Sequence, residues 1–539
     1  MSSRRTGIRL VLPLTLLVAA LAAFTPAAVA APGLHSTRAP IAEVESGDLG
    51  GTRLGTADAF LGVPYAAPPL GQLRFAPPQP PPRWRGIRPA DRQAPACLQF
   101  APGGIRETQA TSEDCLYLDV YRPHGITRTA SLPVILWLHG GGYTQGTGVI
   151  YGGQTLAATT RSVVISINYR LGALGYLALA ELDAEHRATG SGNWGLLDQI
   201  AALRWIQRNA SGFGGDPRNV TIAGQSAGGS AVCTLLASPG AAKTFRHAAI
   251  QSAPCGLGER PLASAQQQGA SFAGEAGCTV TATRPACLRA LPAQRLIDAF
   301  QVAGGAGPVT GTPTLPTGSV AAIETGRWNR VPVLIGAMAH EGKLFLSLNP
   351  DITADDYRRW LTESFGDNAA AVAARYPLAD YPAPFYAQAE AMGDGAFYCA
   401  AKQTADLLAT KTRVFRYEFD DPNSPTLYGF QPPGIDMSST HSAELAYLFD
   451  FTLGAGPVPP GSRRLATQMK RYWGSFAQDG DPNARTLPRW PTYDERDQRT
   501  LILRPGGPRV STSTSEDHNC ASGKRWDRRP WDSRPGRPR

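Results

Sequence analysis

The chain has no C-x-x-C pair and no histidine cluster at zinc-ligand spacing among its 539 residues. Neither a redox motif nor a structural zinc site is indicated, so no metal and no cofactor is expected. A basic surplus over the body is also missing. The formal net charge is +9, but three of those charges sit in residues 1–30 and five in residues 523–539, leaving +1 for the body. A near-neutral body exerts no general pull on phosphate backbones, which argues against nucleic acid as a partner. No apolar run beyond Phe24 is long enough to cross a bilayer, so no integral membrane span is expected. No repeat of 20–50 residues is visible, which excludes solenoids and propellers.

What is present begins with an export pattern. Arg4, Arg5 and Arg9 precede an uncharged apolar stretch from Leu10 to Phe24, and Ala28-Val29-Ala30 offers small residues for cleavage. Residues 1–30 therefore read as a signal peptide, residues 31–522 as one large domain and residues 523–539 as a basic, Pro-rich tail. Secretion is the expected localisation. The tail is read either as a solvated end or as a weak adhesive for an anionic surface. Eight cysteines suit an oxidising compartment, and their spacing alone leaves the pairing open.

Short runs rich in Val, Ile, Leu or Phe occur at 132–138, 162–168, 219–223, 247–251, 331–336 and 412–419, bounded by Gly, Pro or polar residues. They read as buried parallel strands. Between them lie helical stretches; from Gly195 to Asn209 the residues Leu196, Leu197, Ile200, Leu203 and Ile206 recur at helical spacing. The alternation predicts an α/β fold, a mostly parallel sheet with helices on both faces. Two helix-leaning insertions, at about 258–330 and 345–400, are expected to shape a binding pocket.

The chemistry centres on Gly224-Gln225-Ser226-Ala227-Gly228, which follows the β-branched run Asn219 to Ala223. A serine between glycines at a strand-to-helix junction can occupy a sharp turn that exposes its hydroxyl. The hydroxyl is a weak nucleophile until a base takes its proton. Upstream, His139-Gly140-Gly141-Gly142 follows another strand. Backbone N–H groups of Gly141, Gly142 and Ala227 are the expected oxyanion donors. Of the eight histidines, His340 and His441 lie where a base could reach over the sheet edge, and Glu341 competes for the acid role. The chain order serine, acid, histidine selects Ser226, Glu341 and His441. Glu341 would hold the imidazole in the correct tautomer.

These motifs resemble the type-B carboxylesterases, which include cholinesterase-like and fungal-lipase-like members of the α/β-hydrolase fold. Phe60 to Ala66, Leu73-Arg74-Phe75 and Glu113 to Leu118 are similar to its N-terminal signatures. Asn168-Tyr169-Arg170, Gly192-Asn193, Asp198-Gln199, Phe213 to Pro217, Gly224 to Gly229, Glu341, His441-x-x-Glu444 and Trp490-Pro491 follow in family order. The resemblance implies an α/β-hydrolase fold with helical cap insertions. It also implies disulfides Cys97–Cys115, Cys278–Cys287 and Cys399–Cys520, leaving Cys233 and Cys255 as either a fourth bridge or two buried thiols. Two departures stand out. Gln225 replaces the glutamate many members carry, which removes a negative charge beside the base. The stretch from Cys97 to Cys115 contains no tryptophan, the residue that cholinesterase-like members use to hold a quaternary ammonium.

The resulting expectation is a secreted serine carboxylic-ester hydrolase acting through an acyl-enzyme on a small-molecule or lipid-like ester. A lipase, polyester or carbamate hydrolase on the same triad is the enzymatic alternative. An inactive adhesion-type member of the fold is the non-enzymatic one, and the filled triad positions argue against it.

Overall fold

The computed structural model describes residues 39–99, 110–303, 305–426, 429, 431–451 and 456–520. The expected signal peptide and basic tail lie outside the described residues. The apolar runs pair into one sheet of eleven strands: β1 (Thr52–Leu54), β2 (Ala57–Pro64), β3 (Tyr117–Pro123), β4 (Leu132–Leu138), β5 (Val163–Ile167), β6 (Gly215–Gln225), β7 (His247–Gln251), β8 (Val333–Met338), β9 (Val414–Phe419), β10 (Thr500–Leu503) and β11 (Arg509–Ser511). Their spatial order is β11-β10-β9-β8-β7-β6-β4-β5-β3-β2-β1. The seven strands from β5 across to β10 run parallel. The strands at both margins run antiparallel.

Parallel strands need crossover helices, and these cover both faces. The helices that matter for the site are α1 (Trp194–Asn209), α2 (Ala227–Ala237), α3 (Pro384–Gly393), α4 (Cys399–Ala409) and α5 (Arg463–Asp479). Side-chain alternation splits the core in two. Val134, Leu136 and Leu138 of β4 pack with Leu203 of α1, Leu235 of α2 and Leu408 of α4. Ile135 and Trp137 of the same strand face Met469, Trp473 and Phe476 of α5. Each fully buried side chain of this size contributes about 1.5–3 kcal/mol.

A buried ion pair ties the sheet to α1 beneath the site. Arg170, just after β5, donates from Nε and Nη2 to Asp198 at 2.8 and 2.7 Å, and its backbone N–H donates to the same carboxylate. Removing one partner of such a pair typically costs about 3–5 kcal/mol, because the other charge is left buried.

Residues 258–330 and 345–400 are largely helical. The first segment also carries a two-residue parallel pairing of Arg260–Pro261 with Val309–Thr310. Between α3 and α4 the chain forms a single π-helical turn, Asp394–Tyr398. None of the described helices is long and apolar enough to cross a membrane.

All eight cysteines are paired. Cys97–Cys115, Cys278–Cys287 and Cys399–Cys520 join at Cα separations of 4.9, 5.7 and 5.3 Å. The open question of Cys233 and Cys255 resolves as a fourth bridge, with Cα atoms 5.3 Å apart. It links α2 to the segment after β7, two neighbours that only the strand order brings together.

Candidate active site

Strand β6 ends at Gln225, and Ser226 follows in a rare backbone conformation, φ 58° and ψ −128°. A non-glycine residue held there stores roughly 1–3 kcal/mol of strain and needs its surroundings to enforce it. Here they do. Ser226 N donates to Gln251 O at 2.9 Å, and Ser230 N donates to Ser226 O at 3.0 Å. The flanking glycines are sterically obligatory. A Cβ at Gly224 would lie 2.4 Å from Gly228 O, and one at Gly228 would lie 2.0 Å from Leu138 O. The turn therefore drives the serine to the C-terminal edge of the sheet, at the start of α2.

Glu341 and His441 arrive from the loops after β8 and β9. A backbone bridge pairs their neighbours His340 and Thr440, and His340 N donates to Ser439 O at 3.0 Å. Glu341 Oε2 sits 2.5 Å from His441 Nδ1, while Oε1 accepts from Met338 N at 2.8 Å. Both side chains are buried, with residue exposures of 1% and 2%. The carboxylate is thus fixed by the main chain and in turn fixes the ring with Nδ1 protonated.

The far side of the ring differs from the sequence expectation. His441 Nε2 lies 3.1 Å from the side-chain nitrogen of Gln225. Ser226 is half-buried, and its hydroxyl has no hydrogen-bond partner among the described residues. The imidazole therefore rests on the residue before the serine. Nucleophile–base hydrogen bonds are often long without substrate and tighten when it binds.

Gly141 and Gly142 take positive φ values of 107° and 63° after β4. Their N–H groups, and that of Ala227 at the first position of α2, meet no backbone acceptor among the described residues. His139 is a structural neighbour: burial pushes its pKa down to about 4, and its ring stacks on Tyr169 at 4.3 Å. His340 Nδ1 is engaged by Glu390 at 2.7 Å.

Sequence reasoning missed the walls around the imidazole. Phe345 and Phe397 stack on one another at 5.1 Å, and their rings lie 5.0 and 4.8 Å from that of His441. Phe345 is four residues beyond Glu341, a weak signal; Phe397 sits in the π turn and has none. Behind the pair lies Glu444, buried beside Glu341. Burial, and secondarily the Glu341 charge, push its pKa up to about 8. Its Oε1 accepts from Gln251 Nε2 at 3.1 Å.

Among the described residues, one group brings three metal-ligating side chains within 4.8 Å of each other: Glu390, Asp394 and His518. Both ring nitrogens of His518 face carboxylates, Asp394 at 2.6 Å and Glu418 at 3.5 Å. That geometry suits a protonated imidazole, which donates on both sides and has no lone pair for a metal.

The model of the carboxylesterase family matches residues 38–521. The chain is 37% identical to the fumonisin B1 esterase of Sphingopyxis macrogoltabida, over 85% of each chain. It is 31% identical to the para-nitrobenzyl esterase of Bacillus subtilis (strain 168), over 86% of this chain and 94% of that one. Among solved structures, a thermophilic PNB esterase superposes with a TM-score of 0.76 at 30% identity, covering 89% of this chain and 99% of its own. The chain belongs to the carboxylesterase family and is a carboxylic-ester hydrolase of the α/β-hydrolase fold.

Proposed function

We propose that the protein is an exported serine esterase that works through an acyl-enzyme. Ser226 attacks the ester carbonyl carbon as His441 Nε2 takes its proton. Glu341 holds the ring and stabilises the imidazolium that forms. The N–H groups of Gly141, Gly142 and Ala227 receive the oxyanion, each donor contributing about 2.7–4 kcal/mol in the transition state. His441 then protonates the leaving alcohol, and water, activated by the same imidazole, releases the acid. The observation that carries the reading is the 2.5 Å pair of Glu341 and His441 held against the strained turn that carries Ser226. Four disulfides and the apolar leader support export.

A short p-nitrophenyl ester assay tests it. Ser226→Ala should lower kcat on the order of 10⁶-fold, and an organophosphate should label the parent but not this variant. Glu341→Gln should lower kcat by about 10⁴. An unlabelled parent, or a Ser226→Ala variant with its rate intact, removes Ser226 from the mechanism.

A further inference from the structure

The π turn Asp394–Tyr398 runs from Glu341 to His441. Just before it, Gly393 packs so closely that a Cβ there would lie 2.7 Å from Gly342 N and 3.2 Å from the Cβ of Glu341. Toward its end, the Phe397 ring lies 4.8 Å from that of His441. Such turns are rare, and they occur mostly as single bulges in α-helices, frequently at functional sites. The inner residues of this one give it little hold. Gly395 and Ala396 are small, and a Cβ on Gly395 would meet nothing within 4 Å. Phe345, the ring stacked on Phe397, is itself 47% exposed.

Both ends of the turn are fastened to a segment far away in the sequence. His518 Nδ1 lies 2.6 Å from Oδ1 of Asp394, the first residue of the turn. Tyr376 donates to the other oxygen of that carboxylate at 2.9 Å, which fixes its orientation. The His518 ring stacks on Tyr398, the last residue of the turn, with centroids 3.5 Å apart. The next residue, Cys399, is bonded to Cys520. Asp394, Tyr398, Cys399 and His518 are all buried. Attachments from residues 518 and 520 thus bracket Phe397 on both sides. A charge-assisted hydrogen bond and an aromatic stack are directional, and the disulfide between them and solvent is covalent, so the turn has few ways to shift.

We propose that His518 is a positioning residue for ester hydrolysis: together with the Cys399–Cys520 bridge it clamps the π turn, so that Phe397 stays against His441. The proposal rests on the reading of His441 as the base.

Double-mutant cycles on the full chain test it, with kcat/KM for matched aryl and alkyl acetates as the readout. His518→Gln, the Cys399→Ser/Cys520→Ser pair and Asp394→Asn are each made alone and together with Phe397→Ala. Near-UV circular dichroism checks the fold. Asp394→Asn keeps the side-chain shape, and it carries the test where the other two fail to fold. Each clamp variant should lower kcat/KM for the aryl ester by about threefold to tenfold and for the alkyl ester by less, as loss of the Phe397 contact would. In the Phe397→Ala background the same changes should cost about twofold at most, because the contact they protect is already gone. A clamp that serves stability alone would lower Tm and leave kcat/KM unchanged, or lower it equally for both esters. Either result overturns the proposal, as do losses that simply add to that of Phe397→Ala. Organophosphate labelling of the parent separates the clamp from the reaction it serves. An unlabelled parent removes the Ser226 reading and the clamp with it, whereas a labelled parent with additive losses overturns the clamp alone.

Discussion

Gln225 places its side-chain nitrogen 3.1 Å from His441 Nε2, the ring atom to which the proposed mechanism gives the proton of Ser226. With Nδ1–H donated to Glu341, Nε2 carries the lone pair and accepts from the amide. The resting base is therefore occupied by a neutral donor, and substrate binding has to release it.

Gln225→Glu exchanges that donor for a negative charge. A carboxylate at this distance favours the imidazolium, so the acid limb of the kcat/KM profile should move to higher pH by about one unit. A pH–rate profile of parent and variant checks it; an unmoved acid limb means that residue 225 does not face the base in solution.

Phe397 packs against the imidazole at 4.8 Å and is 8% exposed, whereas Phe345, which also meets the ring, is 47% exposed. In the proposed mechanism His441 protonates the departing alcohol, which puts these rings on the leaving-group side. Phe397→Ala removes an aromatic contact of about 0.5–1.5 kcal/mol, so kcat/KM for aryl esters should fall by about threefold to tenfold. Alkyl esters of the same acid should fall less. Parallel kinetics on matched aryl and alkyl acetates provide the comparison.

His518 is buried between Asp394 and Glu418. Burial alone would push its pKa down, but the two carboxylates outweigh burial and raise it to about 10. A folded pKa above the unfolded value near 6.5 means that the protonated ring stabilises the fold. That stabilisation is complete below about pH 6.5, declines above it and is lost as the pH passes about 10. His518→Gln should therefore lower Tm most at pH 6, with the gap narrowing toward pH 10. Thermal melts of the two proteins across this range measure it; a gap that widens with pH reverses the assignment.

The Cys233–Cys255 bridge closes a loop of 22 residues across α2 and the segment after β7. In the chain-entropy account such a loop is worth about 3 kcal/mol. The Cys233→Ser/Cys255→Ser double variant should lose about that much in chemical denaturation, and denatured parent protein should titrate no free thiol.

The parallel centre of the sheet was legible because strands buried on both faces read as apolar runs, as Leu132–Leu138 and Val333–Met338 do. The antiparallel margins were not. Tyr117–Pro123 mixes polar residues with a terminal proline, and Arg509–Ser511 is only three residues long. Strand β6 begins at Gly215, four residues earlier than Asn219, because its first half pairs across an irregular register with β4. At the site, Ser226 and the glycine turns are local strings whose backbone demands show in the residues themselves. The contacts of His441 with Gln225 and Phe397 are set by side-chain packing between distant segments, for which spacing has no counterpart. The fourth disulfide likewise waited on knowing which strands are neighbours.

The bridge between His340 and Thr440 has a consequence for how such an enzyme can diversify. Ser439 is pinned twice more, its N–H to Ser424 Oγ at 2.7 Å and its hydroxyl to Asp421 O at 3.0 Å. The excursion between Ser424 and Ser438 thus hangs from two moored ends. Lengthening it adds only a slowly growing closure entropy, about 0.6 kcal/mol per doubling. Composition is less free than length: Asp436 answers the buried Lys343 at 3.0 Å and Met437 is itself buried, so the returning end of the excursion keeps Glu341 and His441 in register whatever the span between comes to carry.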